Sequence, residues 1–168
     1  MTQTTAPDPF AQKRARLAEN LREIDAAARA QILQRAQLEG WSESQAAWLD
    51  ILAKEKLLQD VVDGVPVEQA LPEAYGQARR QLTVGYFQNA LEKGQSRVAA
   101  FLTVIDLEKQ LAGRRGAPIP EYGDDVLMAA CGRVEQAAAT GQTPERQVAA
   151  GFAEIQRLLA EERDAPRH

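Results

Sequence analysis

One cysteine, one histidine and 5 % aromatic residues are sparse equipment for a chain of 168 residues, and each shortage excludes something. The lone Cys131 rules out an intramolecular disulfide and points to a reducing, cytoplasmic setting. Because its neighbours are small and apolar, it reads as a buried structural thiol rather than a nucleophile. The only imidazole, His168, stands at the last position, so a serine or cysteine nucleophile has no base to use. There is no Glu-x-x-His step, no cysteine pair and no histidine cluster, which removes the usual metal sites of helical bundles. Neither phosphate-binding pattern, Gly-x-x-x-x-Gly-Lys-Ser/Thr or Gly-x-Gly-x-x-Gly, occurs. No amino-terminal apolar stretch has the form of a signal peptide or a membrane span. The expectation is a protein that is not an enzyme, holds no metal or cofactor, and has no membrane partner.

What is present is helical punctuation. Apolar residues recur at three- and four-residue spacing, and the runs end at glycine and reopen at a residue that caps a helix: Ser42 after Gly40, Ser96 after Gly94, Thr143-Pro144 after Gly141. Side-chain oxygens of Ser and Thr accept from free amides in a first helical turn, and glycine takes the left-handed angles of a helix end. With 45 % hydrophobic residues, the chain can bury a core unaided. Much of that fraction is alanine, which lets helices approach closely while burying modest area, so a second copy has something to add. The fold class is all-α: a multi-helix bundle of about six or seven helices with a long N-terminal helix. Residues 1–8 read as a disordered lead-in, 9–163 as one helical domain, and 164–168 as a flexible tail.

Leu17, Leu21, Ile24, Ala28 and Ile32 form one stripe along about thirty residues of helix, a length suited to a bundle spine or coiled-coil arm. The stripe, chiefly Leu17, Leu21, Ile24 and Ala28, is a candidate partner-binding surface. Ser42 with Gln45 matches a reciprocal capping box, with Trp41 as the staple ahead of it. The helix that follows carries Ala47, Ile51, Leu58 and Val62 on one face, with Trp48, Leu52 and Val61 beside them, and Asp50 to Lys54 supplies an exposed ion pair. Trp48, Phe101 and Phe152 read as core fillers.

Asp63-Gly64 between valine pairs is a hairpin signal, but Pro66 cannot donate to a ladder. Gly64 therefore reads as a helix C′ residue and Pro66 as the start of a short helix, interrupted at Pro72. Tyr75, Ala78, Leu82, Tyr86 and Ala90 continue as a stripe with a weak point at Gly85, and Ser96 opens a helix bearing Val98, Phe101, Leu102 and Ile105. The glycine- and proline-rich segment 113–124 is the longest predicted loop. A final antiparallel pair covers 125–140 and 144 to about 162. Glu121, Asp124 and Asp125 start its first helix more cheaply than they hold a cation.

The net charge is −4, unevenly laid out: segment 10–38 has 6 basic against 3 acidic residues, 39–75 has 2 against 8, 76–116 has 7 against 3, and 117–168 has 5 against 9. Alternation of this kind is what adjacent antiparallel helices with complementary faces require; it also allows a basic surface on the third segment. Arg114 and Arg115 suit a helix C-terminus, and they are a second candidate partner contact.

The leading expectation is a helical binding or assembly protein, acting as a homo-oligomer or as an adaptor for another protein. The alternative is DNA recognition. The order 57–64, a turn, 67–71, then a helix with Arg79 and Arg80 loosely follows helix-turn-helix logic, with a few residues too many before Tyr86. Its candidate contacts are Gln77, Arg79, Arg80, Thr83, Lys93 and Arg97, in the basic segment 76–97. Ser42-Glu-Ser-Gln45 ahead of an apolar run, and Ala90-Leu-Glu-Lys-Gly94-Gln ahead of 99–113, give residues 42–112 a faint likeness. That stretch resembles the small terminase subunits of tailed bacteriophages. The resemblance implies DNA binding by the Arg79 and Arg80 helix and ring oligomerisation through later helices.

Overall fold

The structure is a computed structural model that describes residues 11–166. Among them it contains six α-helices and no strand: α1 (Ala11–Glu39), α2 (Glu43–Val62), α3 (Val67–Glu92), α4 (Arg97–Arg114), α5 (Asp124–Ala139) and α6 (Pro144–Asp164). The expected lead-in at 1–8 and His168 lie outside the described residues, as does the side chain of Leu17.

The starts are those the side chains dictate. Ser42 Oγ accepts from the Gln45 amide at 3.3 Å while the Ser42 amide donates to Gln45 Oε1 at 2.9 Å, closing the box. Ser96 and Thr143 accept from the amides of Ala99 and Arg146 at 3.1 and 3.3 Å. The end of α2 shows why Asp63-Gly64 is not a hairpin. Gly64, at φ +92°, donates to the Val61 carbonyl at 3.1 Å, and Val65 donates to Asp60 at 2.8 Å, the two bonds that close a helix through a left-handed residue.

Three expectations need correction. Pro72 does not interrupt: α3 runs unbroken from Val67 to Glu92, past Gly85 as well. Pro72 sits in the second turn on the solvent side, where the carbonyl it cannot pair belongs to exposed Glu68, while Ala70, Leu71, Ala74 and Tyr75 anchor the opposite side. No turn therefore separates 67–71 from the helix that carries Arg79 and Arg80. Second, α2 buries Ala46, Leu49, Ala53 and Leu57; the stripe of Ala47, Ile51, Leu58 and Val62 lies on the other side, and Trp48 is exposed rather than core. The helix is apolar on both sides, and the small ones, Ala46 and Ala53, let α1 and α3 close on it. Third, Asp50 is buried, 3.7 Å from Arg29 and 3.9 Å from Lys54, whose ammonium lies 2.8 Å from Asp25 across the α1–α2 contact.

The core forms two clusters. One joins α1, α2 and the first half of α3 around Ile32, Leu49, Leu57 and Tyr75; the other joins α4, α5 and α6 to the end of α3 around Phe87, Phe101, Val134 and Ile155. Helices α3 and α4 contribute to both, Leu107 and Leu111 completing the first. The charge alternation resolves into pairs between basic and acidic segments on neighbouring helices: Arg29–Asp50 at 3.7 Å, Arg79–Glu39 at 3.3 Å and Arg80–Glu145 at 4.0 Å.

Candidate protein interface

At 100° per residue, Trp48, Ile51, Glu55, Leu58 and Val62 fall within about 80° of one another and opposite the buried face of α2. Trp48, Ile51 and Val62 are 57 %, 59 % and 65 % exposed, and Leu58 is half-buried. The stripe is apolar except for one exposed carboxylate, Glu55, at its centre. None of the ion pairs among the described side chains uses Glu55.

A second surface is built on the end of α1. The Glu39 carboxylate accepts from Tyr75 Oη at 2.6 Å and Trp41 Nε1 at 3.1 Å, and it pairs with Arg79 at 3.3 Å and Arg35 at 3.9 Å. A carboxylate in a last helical turn opposes the helix dipole, so the guanidinium groups are what make it tolerable. Burial, then the bond to Glu39, pushes the Tyr75 phenol far above its ordinary range, and the Arg35 guanidinium sits 4.9 Å over the ring. Around this node lie two hollows that share Arg35 and Leu38. One, of about 420 Å³, has Ile32, Leu71 and Tyr75 in its lining; the other, of about 410 Å³, has Trp41, Arg79, Leu111 and Arg115. Leu38, between them, is 71 % exposed. Sequence reasoning singled out neither Glu39 nor Leu38; an acidic residue immediately before the closing Gly40 was the one signal available.

The candidate residues fall in several places. Ala28 is buried in the first cluster and so cannot meet a partner, which corrects that expectation; Leu21 and Ile24 are half-buried. Arg114 donates to the Gly40 carbonyl at 3.4 Å and to Gln45 Oε1 at 3.0 Å, and Arg115 donates to the Glu39 carbonyl at 3.5 Å. They close the end of α1 rather than of their own helix. Arg79, Arg80 and Thr83 line a hollow of about 320 Å³ with Glu108, Glu145 and Phe152. Gln77 is half-buried, while Lys93 and Arg97 are exposed around the α3–α4 turn, about 20 Å further along the helix, so the six do not form one patch.

Cys131 is buried, and that burial pushes its thiol above the ordinary range, away from nucleophilic character. Among the described residues no three His, Cys, Asp or Glu side chains group as metal ligands, and no helix is long and apolar enough to cross a membrane. No protein-family model matches the chain, and neither does any curated protein or solved structure.

Proposed function

We propose that the protein is a non-enzymatic helical binding and assembly protein that acts through its helix surfaces, as a homo-oligomer or as an adaptor for another protein. The observation that carries this is the outward face of α2. Exposed apolar residues scattered singly are ordinary, but Trp48, Ile51 and Val62 are aligned on one face of one helix. Covering each is worth roughly 1–2 kcal/mol, and an exposed tryptophan is the side chain most often found at the energetic centre of an interface.

Light scattering on the purified chain, with a photo-crosslinker placed at position 51, tests the proposal. Either a mass above the monomer that falls in the Trp48→Ala/Ile51→Ala variant, or a discrete cross-linked product from position 51 in host extract, supports it. A strict monomer giving no such product overturns it. For DNA recognition through 76–97, and for the likeness to small terminase subunits, the support is the exposure of Arg79, Arg80, Lys93 and Arg97. Two of these cations face carboxylates of this chain, Glu39 and Glu145.

A further inference from the structure

We infer that the outward stripe of α2 in one copy seats in the arginine-rimmed groove between α1, α3 and α4 of a second copy, a head-to-tail contact; this rests on the assembly reading above and names its interface. Any partner that covers Trp48, Ile51 and Val62 also covers the carboxylate between them, and a covered carboxylate needs a cation opposite it. Two α2 faces laid against each other about a twofold axis would bring Glu55 toward its own symmetry mate, like charge on like, whether the helices ran parallel or antiparallel.

The surface that fits must be concave, largely apolar, and carry a guanidinium. This chain has one. The groove presents Leu38 to solvent and holds Arg35 between two hollows, and it lines one end with Arg79, Arg115 and the paired Glu39. Glu39 occupies Arg79 and, weakly, Arg35; Arg115 lies close enough to the Glu108 carboxyl to favour its charge, but among the described residues the hydrogen bond it makes is to a backbone carbonyl at 3.5 Å. The carboxylate lining the other hollow, Glu68, is eleven residues from Arg79 along α3, so it does not cancel the arginine end. Trp48 to Val62 spans about 21 Å of helix and Glu68 to Arg79 about 16 Å, so the groove covers about three turns of the stripe and leaves one end beyond its rim. A helix with an apolar face and one acid thus meets a groove whose arginine end keeps an exposed guanidinium, Arg115.

Both side chains are exposed, so both charges can be reversed at the surface; with Arg115 goes the one 3.5 Å bond to the Glu39 carbonyl, while Arg114 keeps its own bonds to Gly40 and Gln45. Sedimentation velocity of the full chain over a concentration series gives the self-association constant for the wild type, Glu55→Arg and Arg115→Glu. Each variant alone is expected to associate about tenfold or more weakly. An equimolar mixture should recover to within about threefold of wild type, because every contact between the two variants pairs opposite charges again. Circular dichroism melts confirm folding, and Arg115→Gln serves if Arg115→Glu misfolds: alone it weakens association, and mixed with Glu55→Arg it recovers in part, because one of the two mixed contacts restores the Glu55–Arg115 pair. Wild-type oligomers that ignore Arg115 substitution, or singly weakened variants that Glu55→Arg/Arg115→Glu mixing does not rescue, overturn this contact while leaving assembly standing. A monomeric wild type overturns it outright, and the assembly reading then rests on cross-linking to another protein alone.

Discussion

Replacing Gly151 by alanine should destabilise the protein, although the same change elsewhere in its helices should stabilise it. Gly151 is buried in α6, and a Cβ built there would lie 2.5 and 2.6 Å from Cζ and Cε2 of Phe101 and 2.8 Å from Cγ2 of Val134. Those are not yielding neighbours. The Phe101 ring is fully buried and stacked obliquely on Phe152 at 5.4 Å, and Val134 is fully buried in α5. Relief requires α6 to move off both α4 and α5, an overpacking that costs about 1–3 kcal/mol, toward the upper end because two side chains on two helices collide at once. Against this stands the gain of about 1 kcal/mol for alanine over glycine in a helix interior. The net loss is about 1–2 kcal/mol. Gly132 in α5 and Gly85 in α3 have nothing within 4 Å of such a Cβ, so there the propensity gain stands alone. Urea denaturation, read at constant m, should place Gly132→Ala and Gly85→Ala above wild type and Gly151→Ala below it. Phe101→Leu combined with Gly151→Ala should lose less than the sum of the two. If Gly151→Ala matched Gly132→Ala, the close approach of α6 would be refuted.

The remaining expectations concern single groups. Tyr75→Phe removes the 2.6 Å bond to Glu39 and should cost about 1–3 kcal/mol by denaturant titration, and the wild-type Tyr75 phenol should resist ionisation until alkaline unfolding in ultraviolet titration. Burial lifts the Glu108 carboxyl above its usual range, so its share of stability is full in acid and lost as pH rises through that raised value; Glu108→Gln should melt higher than wild type at neutral pH, with the gap closing in acid. Glu154 behaves oppositely: hydrogen bonds from Arg157, at 2.6 and 3.1 Å, and then the Arg133 charge hold it below the usual range. Its contribution is present above the ordinary carboxylate range and lost as pH falls through the lowered value, so Glu154→Gln should melt lower at neutral pH and converge with wild type in acid.

How much of this was legible depends on how far apart the interacting residues lie in the chain. Helix starts are local: Ser42 and Gln45 are three residues apart, and the box they form is the box their side chains can reach. The same holds for Gly64 and the end of α2. Pro72 reads as a break because its local cost is visible in the sequence while the packing that outweighs it, Leu71 and Tyr75 in the first cluster, is not. The face of α2 was misassigned for a related reason. Periodicity finds an apolar stripe, but with Leu49 and Leu57 on one side and Ile51 and Val62 on the other it cannot rank them; α1 and α3 decide. The arginine groove was beyond reach altogether, since Leu38 and Arg115 meet only once α4 has folded back onto the end of α1.

That return of α4 is what would make the groove a receptor rather than a dent. Gly40, at φ +90°, is packed so tightly beneath the Leu111 carbonyl that any Cβ would collide with it, and Arg114 and Arg115 hold the Glu39 and Gly40 carbonyls from the same turn. The end of α1 is therefore clamped from one side by α4 and from the other by Tyr75 and Arg79 of α3. Side chains immobilised before association lose little freedom on binding, and Leu38 projects from the clamped turn. Gly40→Ala would break that clamp twice over, through the backbone angle and through the collision. It should lower the melting temperature and weaken self-association together, whereas Leu38→Ala, at an exposed position, should weaken self-association while leaving the melt within about 1 °C of wild type. Equal association by the Leu38→Ala protein and the wild type would remove the groove from the interface.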